Sequence, residues 1–443
     1  LSWPGDGRPG GQVPVHEPGG PAPVSGQSDQ SPSSLTIRAL HAGDDLDAEL
    51  DLRHRAFGPI NDGDRDLMLA ELRAWIADSR LYGVWDGANL VGAAMFHDLR
   101  QWWHGRTLPM AGVGGVKVAP EARGRGVGKA LMTALLGVLA ERSYPLAVLY
   151  PATAHIYRSL GWEFAGGNYR AVVPGRSLVS LLPPDPALGA APADSGPAEP
   201  SALRRAGPAD ADEVISVLGA VYAGGRDCGP CTFDAASMRH WLADPEIFGY
   251  LAADGFLAYG WRGSDHEIMV HVLQAGSART ARALWGIVAS HATVTETVHA
   301  CLGPDDPISW LTREPDVRLR QRHTWMLRVL DAKAAIAGRG FPAVAQIRVP
   351  LRLTDPQLPA NAGLHTLTVT GGQGYLFPAE TGRPSGSESV PPVTLGPRGF
   401  AALFAGVPLV TLRRAGLALG GDSAADAALD CAFAARPYLL DYF

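Results

Sequence analysis

Cysteine is rare in this chain, with four in 443 residues. That is too few for a disulfide scaffold at this length, and it points to a reducing compartment. No apolar run reaches the roughly 18 residues that a membrane-spanning helix requires. Residues 1–11 (LSWPGDGRPGG) carry neither the basic nor the apolar region of a signal peptide. The expectation is therefore a cytoplasmic protein with no membrane partner. An excess of positive charge is also missing. The formal net charge is −6 and the pI is near 6.1, whereas nucleic-acid binders are normally basic. No paired histidines and no second C-x-x-C complete a zinc site, so no metal is expected. Lysine is scarce, while Ala, Gly, Pro and Arg are plentiful, as in products of GC-rich genomes. At about 100–200 residues per domain, the length predicts two to four domains.

One stretch organises the rest. Residues 113–142 read VGGVKVAPEARGRGVGKALMTALLGVLAER. Val116, Lys117 and Val118 suit a strand, and Pro120 ends it because proline cannot donate to a ladder. The turn Arg123-Gly124-Arg125-Gly126-Val127-Gly128 follows. Val127, Leu131, Leu135, Val138, Leu139 and Arg142 then fall at helical spacing. Glycines let a ligand approach the backbone closely. The first N–H groups of a helix have no partner within it and form an anion site, helped by the helix dipole. Arg123, Arg125 and Lys129 add positive charge. Together Gly124 to Lys129 read as a pyrophosphate cradle. The spacing is neither the G-x-G-x-x-G of dinucleotide folds nor the ATP P-loop; it is R-x-x-G-x-G. Two looser copies, RRAGPA at 204–209 and RRAGLA at 413–418, lack the strand, turn and long helix that surround Arg123.

Along the chain, residues 1–34 are rich in Gly, Pro and Ser and predict a disordered tail. Residues 36–40 predict a strand, 47–57 and 66–78 helices, and 81–85 and 90–97 two strands around Asp86-Gly87. The strand ending at Val118, the helix from Val127, an apolar strand at 145–150, a short helix at 154–160 and a strand from Trp162 complete a first domain, 35–182. A Pro/Ala/Gly-rich linker spans 183–200. Residues 201–335 repeat the character of the opening, with strand, turn, acidic residues and helix, then a hairpin at 249–262, a strand at 268–273 and a helix at 278–291. The C-terminal domain, 336–443, alternates strands (343–353, 365–370, 374–377) with helices near 394–404, 408–415 and 424–433. Cys228-Gly-Pro-Cys231 has thioredoxin-type spacing, but residues 222–227 (YAGGRD) before it read as loop, so a redox or metal role is not expected.

The Arg123 loop resembles the coenzyme A loop of the GNAT superfamily of N-acetyltransferases, and the order β-α-α-β-β-β-α-β-α-β resembles the GNAT fold. The fold expected is α/β (α+β): two tandem GNAT-like domains, then an α/β domain resembling sterol carrier protein. In the second copy the corresponding stretch reads QAGSARTARAL and lacks R-x-x-G-x-G, so a degenerate, non-catalytic repeat is expected. VAPEARGRGVGKALM, ATAHIYRSLGWEFAG and WMLRVLDAKAAIAGRGFP, with a terminal phenylalanine, together resemble the Eis (enhanced intracellular survival) family of actinobacterial acetyltransferases.

That resemblance implies acetyl-CoA as co-substrate, a small cationic amine (aminoglycoside-type) as acceptor, and a homohexamer. Tyr157 is then the general acid for the departing thiolate, and the α-carboxylate of Phe443 the general base. The backbones of Val116, Lys117 and Val118 hold the pantetheine arm. Arg123, Gly124, Arg125, Gly126, Val127, Gly128 and Lys129 hold the pyrophosphate, and Ala152 and Thr153 also touch the coenzyme. Asp62, Asp64, Asp66 and Asp441 could receive cationic amines or be ordinary solvated acids; Trp102 and Trp103 could wall the pocket or pack in the core. Lysine or polyamine acetylation, and a non-enzymatic acetyl-CoA or lipid sensor, are the alternatives.

Overall fold

A computed structural model describes residues 35–59, 65–182, 203–263, 266–313, 316–379 and 391–441. The expected tail (1–34), the linker (183–200), Asp62, Asp64 and Phe443 lie outside the described residues. The chain divides into two units. One holds the described residues up to Met95 together with 115–131; the other holds 96–114 and everything from Met132 onwards.

In the first unit, β1 (Thr36–Ala39) leads to α1 (Leu46–Phe57), then α2 (Arg65–Ala77) and β2 (Leu81–Asp86). Asp45 starts α1, its carboxylate accepting from the N–H groups of Asp47 at 2.9 Å and Ala48 at 3.3 Å, which satisfies donors that the helix leaves open. Strand β2 pairs antiparallel with β1 and with the start of β3 (Asn89–Trp103). Leu40, Leu50, Leu69, Leu72, Ile76 and Leu81 close a small apolar core. The end of β4 (Arg106–Val118) and the start of α3 (Val127–Glu141) complete this unit.

The second unit begins with the other halves of β3, β4 and α3 and continues through β5 (Leu146–Leu149), α4 (Ala154–Ser159), β6 (Glu163–Pro174) and α5 (Gly175–Leu178). The observed order β-α-α-β-β-β-α-β-α-β is the one expected from the sequence. Then come β7 (Arg204–Ala206), α6 (Ala211–Gly225), β8 (Cys228–Thr232), α7 (Ala235–Leu242), β9 (Phe248–Ala252), β10 (Gly255–Arg262), β11 (Glu267–Ala275), α8 (Ala278–Ala289), β12 (Thr297–Leu302), α9 (Ile308–Leu311) and β13 (Arg318–Val329). Its sheet runs β5-β13-β6-β12-β11-β10-β9-β7, so β13 enters between β5 and β6, antiparallel to both.

The last part comprises α10 (Ala332–Gly338), β14 (Ile347–Leu353), β15 (Gly363–Thr370), β16 (Gln373–Pro378), β17 (Val393–Leu395), α11 (Pro397–Phe404), α12 (Leu409–Arg414), β18 (Ala418–Leu419), α13 (Ser423–Phe433) and β19 (Tyr438–Leu439). Its five-stranded sheet has the order β16-β15-β14-β17-β18.

Several expectations are corrected. The strand expected at 90–97 runs on to Trp103 and turns only at His104 and Gly105, both at positive φ. The strand expected from 343 begins at Ile347, because residues 342–345 form a turn closed by Ala345 N–H to Pro342 O at 2.9 Å. The YAGGRD segment is not loop throughout. Helix α6 continues to Gly225, and Arg226, at φ 55°, ends it in the left-handed region. Cys228 and Cys231 then lie within β8, paired with Trp103 and Gln101 of β3. Both are buried, and burial raises both thiols, Cys231 well above the usual range. Trp103 is fully buried core, 4.8 Å edge-on from Phe404. Trp102 donates to Thr232 Oγ1 at 2.9 Å and packs on Tyr222.

Candidate active site

In the first unit, β4 ends in a one-turn 3₁₀ segment, Pro120–Ala122, and Ala119 N–H bonds Val91 O at 2.9 Å. Arg123, Gly124, Arg125 and Gly126 are exposed before α3 begins at the buried Val127. Gly124 and Gly126 adopt φ of 77° and 79°, a region that side-chain-bearing residues rarely enter. Among the described residues, a Cβ built on either would meet nothing within 4 Å, so both turns open onto space that a ligand can occupy. The intrahelical ladder starts with Ala130 N–H to Gly126 O, leaving the preceding N–H groups at the helix mouth. Arg125 pairs with Asp86 at 2.7 Å; Arg123 and Lys129 are exposed beside it. Elsewhere in this unit Arg55 bridges Asp51 and Glu121. Asp66 is exposed on α2, as a solvated acid would be.

Val116 and Val118 are half-buried, and Lys117 between them is buried. The pairing of β4 with β5 covers Met110 to Val113, where β5 ends at Leu149. The segment from Gly114 to Val118 therefore has backbone groups that β5 does not engage.

In the second unit, Tyr157 lies on α4 and is buried, edge-on to Trp162 at 6.3 Å. Burial pushes its phenol up to about 12, so it stays protonated across the physiological range. Ala152 and Thr153 are exposed just before α4, and Thr153 caps the helix by position without a side-chain hydrogen bond. Tyr144 packs edge-on to Phe96.

The C-terminal segment is pinned over the same unit. Strand β19 runs parallel to β6 at Gly167 and Asn168. Asn168 Nδ2 donates to Leu439 O at 2.9 Å and Leu440 O at 3.1 Å. Tyr150 Oη donates to Asp441 O at 2.6 Å, and Tyr438 Oη to Asp227 Oδ1 at 3.1 Å. Gly229, at φ 105°, allows this fit: a Cβ there would sit 2.2 Å from Tyr438 O. Asp441 is buried, and burial pushes its carboxyl up to about 7. Asp227 and Asp306 are raised to about 6, chiefly by the same cause. Sequence reasoning missed Asn168 and Tyr150 as anchors, since an asparagine and a tyrosine in or beside strands carry no distinctive local signal. It also missed Glu49, which meets the side chain of Lys117.

The comparable helix mouth of the second repeat is closed by its own residues. Ser277 Oγ accepts from Thr280 N–H at 3.2 Å, and the Thr280 hydroxyl bonds Asp254 Oδ1. A carboxylate thus stands near the place where a phosphate would need to lie.

Comparisons with known proteins agree with this layout. The acetyltransferase (GNAT) domain family matches residues 36–165, a second acetyltransferase (GNAT) domain family matches 238–329, and the sterol carrier protein domain family matches 332–440. The crystal structure of a GCN5-related N-acetyltransferase from Kribbella flavida is 41% identical, with a TM-score of 0.83, covering 93% of this chain and 98% of that one. An uncharacterized N-acetyltransferase of Streptomyces avermitilis is 28% identical over 86% of this chain and 92% of its own length. N-acetyltransferase Eis of Mycobacterium tuberculosis is 28% identical over 62% of this chain and 68% of its own length. Two acetyltransferase domains followed by a sterol-carrier-type domain define an N-acetyltransferase enzyme. The chain belongs to the GCN5-related N-acetyltransferase family, in its Eis-like form. GNAT acetyltransferases use acetyl-CoA. Among the described residues no helix is long and apolar enough to cross a membrane.

Proposed function

We propose that the enzyme moves the acetyl group of acetyl-CoA to a primary amine of a small cationic acceptor of the aminoglycoside type. The observation that carries the coenzyme assignment is the open glycine turn at the mouth of α3: among the described residues, nothing beyond the adjoining chain lies within 4 Å of where Cβ atoms would stand on Gly124 and Gly126. Arg123, Arg125 and Lys129 supply charge, and the N–H groups from Gly124 to Lys129 hold the pyrophosphate. The backbones of Val116, Lys117 and Val118 bind the pantetheine arm as an added strand would. Ala152 and Thr153 complete the coenzyme contacts. The second repeat takes no coenzyme, because Ser277 and Asp254 already serve its helix mouth.

Four requirements govern the chemistry: a neutral attacking amine, a polarised thioester carbonyl, a proton for the leaving thiolate, and reactants held together. Tyr157 supplies the proton. With its phenol near 12 and an ordinary thiol near about 8.5, donation to a solvated thiolate would be uphill by roughly 5 kcal/mol. Donation therefore requires a thiolate that is itself desolvated and correspondingly more basic. The α-carboxylate of Phe443 takes the amine proton, carried by a tail fixed up to Asp441. A free α-carboxyl titrates near about 3.3–3.7 and is a poor base unless desolvated. The net charge of −6 favours a cationic acceptor.

The test compares wild type, Tyr157→Phe and a chain extended beyond Phe443 for amine-dependent thiol release. Turnover is expected to be lost in both variants while acetyl-CoA binding survives. Full activity in the extended chain would sink the terminal-base assignment. We also propose a cytoplasmic homohexamer, which light scattering of the purified chain tests through its mass.

A further inference from the structure

Helix α1 and strand β4 share an ion pair that neither the fold nor the coenzyme loop requires. Lys117 Nζ lies 2.5 Å from Glu49 Oε1, with the two side chains 2% and 0% exposed. Nζ also lies 3.5 Å from Gly115 O. The approach to Oε1 is close but poorly directed, and among the described residues neither Glu49 oxygen receives a well-formed hydrogen bond. Burial draws Lys117 below the usual lysine range, opposed by the charge of Glu49; Arg53, also on α1, adds to the lowering. A buried pair of this kind is commonly no more stabilising than apolar side chains of similar volume. Stability alone therefore gives no reason for it.

Its position does. Lys117 stands between Val116 and Val118, beyond the point where pairing with β5 stops. Side chains alternate along a strand, so Lys117 turns to the α1 side, and its backbone lies past the last residue paired with β5. Two residues earlier, Gly115 has φ 58°, a break from regular strand geometry. A Cβ there would stand 3.5 Å from Met95 Cγ and 3.9 Å from Lys117 Nζ. The bent segment is thus gripped through Lys117, whose ammonium reaches both Glu49 and the Gly115 carbonyl.

We propose that Glu49 and Lys117 are positioning residues for acetyl transfer: their buried ion pair holds residues 115–118 in the bent form that receives the acetyl-pantetheine arm. This rests on the coenzyme reading above. Neither side chain touches the reacting atoms in this scheme, so the pair acts through the strand.

The test uses the full chain with Glu49→Gln, Lys117→Met and the double variant Glu49→Met/Lys117→Met. The double variant removes both charges and keeps chain length, so it retains a folded protein if a single variant does not. Steady-state kinetics are taken at a temperature where circular dichroism shows each protein folded. The KM for acetyl-CoA is expected to rise at least fivefold in the double variant, with the KM for the amine within twofold of wild type. A merely structural pair would leave the KM for acetyl-CoA of the folded double variant within twofold, and that result would overturn the proposal. Calorimetric titration of wild type and Gly126→Val with acetyl-CoA separates the two claims. No binding to wild type would overturn the coenzyme reading itself. Binding to wild type that Gly126→Val abolishes keeps that reading, and the double variant then decides the role of the pair.

Discussion

Asn168 is a residue through which the C-terminal tail can be loosened by a single side-chain change. Asn168→Ala removes the Nδ2 donor from the carbonyls of Leu439 and Leu440. Both residues are buried, and a buried acceptor left without a donor costs about 1–3 kcal/mol, so the two together cost roughly 2–6 kcal/mol. The docking of residues 437–441 is itself a small difference between large opposing free energies. Burying Tyr438, Leu439 and Leu440 contributes about 5–9 kcal/mol, and the tail's hydrogen bonds contribute roughly 1 kcal/mol each. Ordering the segment costs about 5–10 kcal/mol. The net is a few kcal/mol, the same size as the Asn168 loss. The tail of the variant is therefore expected to undock while the rest stays folded. Carboxypeptidase release of the terminal residues, with amide exchange at Leu439 and Leu440, reports docking; thiol release reports turnover. If the terminal carboxylate is the base, kcat falls at least tenfold with the KM for acetyl-CoA within twofold. An undocked tail with unchanged kcat would refute the terminal base, and a tail that stays protected would refute the energetic argument.

Other outcomes follow from the same geometry. Tyr157→Phe is expected to lower kcat by about 10²–10⁴-fold, the range of general acid catalysis, with calorimetric acetyl-CoA binding unchanged; a loss under twofold would remove Tyr157 from the chemistry. Because its phenol lies near 12, wild-type turnover should show no fall from tyrosine ionisation up to pH 10. Asp441 is raised to about 7 from an ordinary 3.8, so the unfolded chain gives up this proton first. Its contribution to stability falls as pH rises from about 4 to about 7 and then levels. Asp441→Asn should therefore raise the unfolding midpoint more at pH 8 than at pH 5, and a larger gain at pH 5 would reverse the sign. Lys117→Met leaves Glu49 buried without its counter-charge and should cost about 3–5 kcal/mol in urea unfolding, with a smaller loss in the double variant Glu49→Met/Lys117→Met.

The glycine turn at 123–128 and the helix after it were legible because their signals are local. Two glycines in a basic turn, a proline before them and helical spacing after them each constrain the backbone within a few residues, and Gly124 and Gly126 do adopt positive φ. The domain order was legible for the same reason, since alternating periodicities report strands and helices directly. Contacts between distant residues left no such trace. Nothing near Glu49 in sequence announces Lys117, nor does anything near Asn168 announce Leu439. The Cys228 region misled because glycines and an arginine favour a loop, whereas α6 runs on to Gly225 and stops there in a left-handed cap. Strand β8 owes its form to pairing with β3, a tertiary effect that overrides local preference. Trp102 and Trp103 could be told apart only once β3 was seen to run on to Trp103.

The central claim is acetyl transfer from acetyl-CoA to a cationic amine. It is tested most directly by mixing the full chain with acetyl-CoA and each of a panel of aminoglycosides, polyamines and lysine peptides, then following thiol release and product mass. The account predicts saturable release that depends on a cationic primary amine, strongest with aminoglycosides, and products heavier by whole acetyl groups. Acetyl-CoA binding that Gly126→Val abolishes, with no amine accelerating thiol release, would contradict it.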